Sequence, residues 1–389
     1  MTIYLSTITF TEQDDIVPLD EEEDIYNDGN NGIINTLAGN DLIIGTSDFT
    51  TQGSGISNGG SIYSGDGDDI IIGINDDSTS GAYHVGIYNR ASIDTGNGND
   101  IITGISYSEI GAGIENQYST INTGDGNDVI TGIIPSIGTG INSEYSIINT
   151  DDGNDAITGT GGSGGIRIGA GGLDTGKDND IITGTGFWYG ISLGSFFNTG
   201  ALDSFLNTGD GNDTITGNST AYNVGIYNGG IIDTGEGDDI ITGTNIDRVA
   251  GNSYPATALF NEGTINTGNG ADSLISNGKL WNTGEVFLGE GNDSIIADGG
   301  FDSGSSGIMF LGEGEDYIKG FGSGNFNGGN GNDILELTSG IYTFWTSPAG
   351  EIFVKDGITM NTVGFEKLIA GSTSYDFTSL TEGQIIIVA

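Results

Sequence analysis

From about residue 29 to residue 337 the chain alternates short aliphatic stretches with glycine-rich polar turns, and the alternation stays in register with itself. Twelve turns end on an aspartate: Asp41, Asp69, Asp100, Asp128, Asp155, Asp180, Asp213, Asp239, Asp272, Asp293, Asp316 and Asp333. Two residues after each stands Ile43, Ile71, Ile102, Ile130, Ile157, Ile182, Ile215, Ile241, Leu274, Ile295, Ile318 or Leu335. Seven residues before each runs a second apolar series, from Ile34, Ile62 and Ile93 to Val286, Met309 and Phe326. A third, within the phrase GIxN and its variants, covers Ile56, Ile87, Ile114, Ile141, Ile166, Ile191, Ile226 and Leu259, then fades. Successive aspartates lie 17 to 33 residues apart, so lengths vary while the local register does not.

A repeat of this length, one inward aliphatic per short segment, predicts an all-β, right-handed parallel β-solenoid of about twelve coils. Isoleucine is stiff at χ1 and stacks well on copies of itself. Three short strands per coil fit the longer spacings, and two fit the last coils. At about 4.8 Å per coil the rod would be roughly 55 Å long. Segments such as 185–200 would loop out of the stack. Glycine every few residues and the lack of a 3.6-residue stripe argue against helices.

Composition narrows the function. Of 389 residues, 73 are glycine and only 8 are Lys or Arg, and the net charge is −46. Such a chain repels nucleic acid and anionic membranes and attracts cations. A 35% hydrophobic content rich in isoleucine argues against disorder. There is no cysteine, hence no disulfide or thiolate metal site. The segment MTIYLSTITFTEQDD has no basic n-region or long apolar stretch, so no cleaved signal peptide is expected, and no apolar run approaches 18 residues.

The turns carry the candidate chemistry. TGNGND (95–100), TGDGND (123–128 and 208–213) and TGEGDD (234–239) are ordinary turn sequences in Gly and Asn. Asn would serve the last position as well as Asp, yet all twelve are Asp. Stacking would set the carboxylates about 5 Å apart, costing several kcal/mol per bare pair, and a cation between them removes the penalty. Three residues earlier lie further oxygen donors: Asp66, Asn97, Asp125, Asp152, Asp210, Glu236, Asn269, Glu290, Glu313 and Asn330. Carboxylate, amide and carbonyl oxygens suit Ca²⁺, which takes 6–8 of them, better than the stricter Mg²⁺. A metal-free column of Asx-type turns is the alternative.

GEGNDSIIA (289–297), GEGEDYIKG (312–320) and GGNGNDILE (328–336) resemble the GGxGxDxUx nonapeptide of the RTX, or hemolysin-type, calcium-binding repeat proteins. The resemblance covers residues 29–337. It implies a β-roll in which the aspartate and turn carbonyls of one coil share Ca²⁺ with the next, the twelve aspartates and the ten residues before them being ligands. Thr in place of the first Gly, as at Thr95 and Thr123, and one motif per coil are departures. They imply one calcium column rather than two, with at most about eleven sites. Defects are expected at Leu37 and Ala38, at Asp151, at Lys177 and Asp178, and at Ala271, Lys177 serving as an internal cation.

Outside the repeat, residues 1–28 form an acidic leader and 338–389 a small β cap over the open end of the solenoid. The C-terminus is also similar to RTX segments that hold uncleaved type I export signals. That resemblance implies a secreted or cell-surface protein that engages type I secretion machinery. No enzyme is expected. His84 is the single histidine, so HExxH is impossible. GISNG (55–59), GGSGG (161–165) and GISLG (190–194) match GxSxG by chance in so Gly- and Ser-rich a chain. A polysaccharide lyase, epimerase or glycosidase would need Arg90, Arg167 or Arg248, with Phe187, Trp188 and Tyr189 as a sugar platform. The expected role is calcium binding that rigidifies a structural solenoid. A calcium-dependent adhesin with a glycan or cell-surface partner is the alternative.

Overall fold

The computed structural model describes residues 2–3, 11–17, 24–27, 32–47, 53–77, 83–194, 203–221, 224–245 and 257–389. Among them the chain is a parallel β-solenoid with one sheet of 15 strands and one of 25. Each strand sits on its counterpart one coil away. Ile101–Ser106, for example, pairs in parallel with Ile70–Asn75 on one side and Val129–Ile134 on the other. The 15-stranded sheet holds the strand that follows each aspartate. The larger sheet bends round the coil and supplies the other one or two strands.

All three aliphatic series face inward. The positions two after the aspartates are completely buried from Ile43 to Leu335, and the other two series join them in one core. Burying each such side chain contributes about 1.5–3 kcal/mol, and stacking in register makes every coil the lid of its neighbour. The ITG and GI phrases have a second use. A Cβ on Gly104 would lie 2.3 Å from the Gly113 carbonyl oxygen, so the two sheets meet backbone to backbone there.

Glycine is required in the turns for a similar reason. At the second turn glycine φ is +145° for Gly98 and +153° for Gly126. A Cβ there would lie 1.9 Å and 1.7 Å from the carbonyl oxygens of Gly67 and Gly98 one coil away. The first turn glycine sits in the ordinary left-handed well, φ +84° at Gly96, which other residues can enter. That is where Leu37 (φ 76°) and Asp151 (φ 55°) replace it. Asp178 replaces a second glycine only because φ falls to 76° in that copy. A Cβ on Gly96 would still meet the Gly65 carbonyl oxygen at 2.1 Å, so Gly98→Ala is expected to destabilise the protein by about 3 kcal/mol and Gly96→Ala by about 2 kcal/mol, the difference being the backbone strain alone. Urea unfolding of the two variants checks this.

Three expectations need correction. The leader is not wholly outside the solenoid. Ile16–Val17 pairs with Leu42 and Ile43, and Ile25 pairs with Ile56, with Val17 and Ile25 buried. Residues 1, 4–10, 18–23 and 28 of that leader lie outside the described residues. The segment 185–200 does not simply loop out, because Tyr189–Leu193 is a strand paired on both sides; 195–200 lie outside the described residues. At the other end the solenoid runs past Leu337. Ile358–Val363 and Lys367–Ala370 add one more coil in parallel, and antiparallel strands centred on Tyr342, Phe344 and Phe353 close it. The cap is thus part coil and part antiparallel lid. No helix among the described residues is long and apolar enough to cross a membrane.

Candidate metal centre

Each TGxGND turn distributes its polar side chains between its inside and its outside. The terminal aspartate points in. All twelve, Asp41 through Asp333, are only 0–2% exposed. One carboxylate oxygen, Oδ1, accepts the backbone N–H of the equivalent aspartate in the preceding coil, at 2.7 to 2.9 Å, from Asp41 N–H to Asp69 through Asp316 N–H to Asp333. The ladder extends beyond the motif at both ends. Asp15 donates its N–H to Asp41, and Glu366 accepts from Asp333. The other oxygen, Oδ2, is buried without a hydrogen-bond partner in every one of the twelve.

Burial pushes most of these carboxyls well above the ordinary aspartate range: to about 6 at Asp69, Asp128, Asp213 and Asp316, about 7 at Asp100, Asp155, Asp239 and Asp293, and about 8 at Asp180. A Ser or Thr hydroxyl beside the carboxylate partly opposes this rise from Ser64 and Thr95 to Thr234. This is the position where Thr stands in place of the first repeat glycine, and these hydroxyl residues are fully buried. Neighbouring aspartates add mutual repulsion, as Asp128 and Asp69 do at Asp100.

The residues three before the aspartates do not join them. Asp66, Asn97, Asp125, Asp152, Asp210, Glu236, Asn269, Glu290, Glu313 and Asn330 are all exposed, on the opposite side of the turn backbone. They stack on one another instead: the Asn97 amide donates to Asp66 at 3.0 Å, and Asn269 to Glu236 at 2.9 Å. Lys177 belongs to this outer column. Its ammonium lies 2.8 Å from Asp152, so it does not replace an inner cation. Ala38 and Lys177 accordingly leave the inner ladder unbroken. No cluster of three or more His, Cys, Asp or Glu suited to a metal occurs among the described residues. Any inner site must therefore draw on backbone oxygen.

Backbone oxygen is available there. Among the described residues the carbonyls of Gly67, Gly98, Gly126, Gly211 and Gly237 accept no hydrogen bond, while the neighbouring carbonyls of Asp66, Asn97 and Asp125 do. The buried Oδ2 atoms and the free turn carbonyls are all oxygen donors, the type that fits Ca²⁺.

Two polar ladders were not foreseen. The residue before the aspartate, Asn in most copies, accepts through Oδ1 the N–H of its counterpart in the next coil, as from Asn127 to Asn99 at 3.0 Å and from Asn154 to Asn127 at 2.9 Å. The buried Asn of GIxN forms a second ladder, Asn27 to Asn58 to Asn89 to Asn116, at 2.8 Å per step. Both asparagines recur through most of the repeat, so the signal was present.

The residues considered for catalysis do not converge. His84 lies 3.5 Å from Asp77. Arg90 lies over the Tyr88 ring, and Arg167 pairs with Glu144 at 3.2 Å. Arg248 is outside the described residues. Trp188 is exposed, but the Tyr189 hydroxyl is engaged with Thr139 at 2.9 Å. None of the three GxSxG phrases opens a helix.

No family model and no curated protein matches this chain. Among solved structures, a hyperactive, Ca²⁺-dependent, β-helical antifreeze protein from an Antarctic bacterium is similar over 96% of this chain and 96% of its own, with 18% identity and a TM-score of 0.39. The strand pairing itself defines the class: a parallel β-solenoid with a buried aspartate column along one edge.

Proposed function

We propose that this protein binds Ca²⁺ along its aspartate column and is a calcium-rigidified structural solenoid that works outside the cell. The observation that carries the reading is the set of twelve buried carboxylate oxygens with no partner. A buried carboxylate with one oxygen left without a partner is costly, and buried charges are normally paired or coordinate a metal. The aspartates from Asp41 to Asp333 would supply Oδ2, and turn glycines such as Gly67, Gly98 and Gly126 their carbonyls. Bound Ca²⁺ would supply positive charge between consecutive carboxylates. The resemblance to RTX repeats supports the same reading and adds type I export. Intracellular calcium is too low to fill sites of micromolar to millimolar affinity, which favours an extracellular role. The dispersal of His84, Arg90 and Arg167 supports a structural role over a catalytic one.

Calorimetric titration of EDTA-stripped protein tests it. On the order of ten ions per chain are expected, one for each interface between coils, with a cooperative gain of β signal in circular dichroism. A folded metal-free protein that takes up no Ca²⁺ would sink the proposal and leave the turns as metal-free Asx ladders.

One observation favours adhesion as a second reading. Tyr118 and Tyr145 are 68% and 51% exposed, stack with centroids 5.0 Å apart, and are held at positive φ. They flank a hollow of about 680 Å³ bounded by Ala170 and Gly171, where a sugar ring could continue the stack. Loss of glycan-array binding in Tyr145→Ala would support it, and an array with no hits would remove it.

A further inference from the structure

The outward face of the 15-stranded sheet carries no charge over a long stretch. Its eight six-residue strands from Leu42–Ser47 to Ile240–Asn245 present 24 outward side chains. Eleven are Ile, Leu or Val, eleven are Thr, and the other two are Ala156 and Asn218. In a chain with 62 acidic and basic residues and a net charge of −46, such a gap is not accidental. The opposite sheet shows the contrast, with Glu115, Glu144 and Arg167 on its outer side. Every strand of the uncharged face pairs with the next without a slip of register, so the side chains form straight columns. Ile181 and Ile240 stand 53% and 41% exposed on it.

We propose that this face is a self-association surface on which two copies of the chain pack sheet to sheet. Eight strands about 4.8 Å apart and about 20 Å long give a face of roughly 800 Å². That is what each partner contributes to a stable interface of standard size. Interface centres are depleted in charge, as this face is. Flat parallel sheets stack at about 10 Å with modest interdigitation, which short Thr and Ile side chains allow. Charge also selects the geometry. The carboxylate edge lies just before each strand of this sheet, on one side of the face only. A two-fold axis parallel to the solenoid axis sets that edge of one copy against the far edge of its partner. The acidic columns of the two copies then stay apart.

Sedimentation velocity of the full chain in calcium tests the proposal. A concentration-dependent dimer is expected. Thr158→Lys with Thr183→Lys places unpaired charges at the centre of the face and should weaken the dimer about a hundredfold or more. Thr120→Lys, exposed on the other sheet, should leave it unchanged. Circular dichroism in calcium separates misfolding from dissociation. The cysteine-free chain permits an independent measurement: Thr183→Cys should be protected from maleimide at dimer concentrations while Thr120→Cys reacts freely. A monomer at all concentrations, or equal reactivity of the two thiols, overturns the proposal. Neither result depends on how many calcium ions are bound.

Discussion

In EDTA at pH 8 the protein is expected to be largely unfolded, and lowering the pH towards 5 is expected to refold it with no metal present. Nine of the buried aspartates, Asp69, Asp100, Asp180 and Asp239 among them, are pushed up to about 6 to 8 in the folded chain, with burial as the main cause, against an ordinary value near 3.8. A folded carboxyl pKa above the unfolded one means that the folded state binds more protons between the two values. Stability therefore falls as pH rises through that window. It is recovered on acidification, down to about pH 4, where the unfolded chain begins to protonate as well. Ionising a carboxyl whose pKa stands one pH unit above its ordinary value costs the folded state about 1.4 kcal/mol. Asp100, Asp155, Asp239 and Asp293, each raised to about 7, would together outweigh the 5–15 kcal/mol stability of an ordinary domain.

A fully ionised, metal-free column is therefore expected not to persist, with protons or cations neutralising it. Calcium is expected to restore the fold at pH 8 and to lose affinity as pH falls, since protons and Ca²⁺ compete for the same Oδ2 atoms. Thermal melts between pH 5 and pH 8, with EDTA and with calcium, measure both effects. Metal-free stability that rose with pH would contradict the buried geometry of the column.

The fold was legible because one physical signal repeats twelve times. A strictly placed inward aliphatic beside a glycine turn admits few structures other than a parallel stack. The inner aspartate column was legible for the same reason, through the invariance of aspartate where asparagine would suffice. Sidedness within the turn was harder to read. Asp66 and Asp69 are both acidic and three apart, and only the backbone path shows that one faces out and the other in. The extra coils at the ends were hidden because their sequences drop the glycines: Glu366 takes the place of an aspartate in GFEKLI. The leader was masked by its own charge. Asp24–Asn27 reads as part of an acidic run, yet Ile25 and Asn27 occupy the same core and ladder positions as Ile56 and Asn58.

Asp239→Asn is expected to act in opposite directions with and without calcium. Asp239 lies midway along the column, fully buried, and its Oδ1 accepts the Asp213 N–H at 2.8 Å. Asparagine keeps that acceptor and is neutral without having to take up a proton on burial, and the Thr234 hydroxyl beside the carboxyl can receive the new amide N–H. In EDTA at pH 6 the substitution should therefore stabilise the protein by about 1–3 kcal/mol. In calcium it would remove a proposed ligand from the interfaces on both sides. A site held at 100 times its Kd contributes about 2.7 kcal/mol, so losing two would cost up to about 5 kcal/mol. Asp238→Asn is the matched control. Asp238 is exposed, and its position is already Asn in most copies, so a change within about 0.5 kcal/mol is expected in either buffer. Urea unfolding midpoints of the three proteins in EDTA and in calcium give the answer. If Asp239→Asn shifted the midpoint the same way in both buffers, the column would be a hydrogen-bonded turn ladder and not a site for cations.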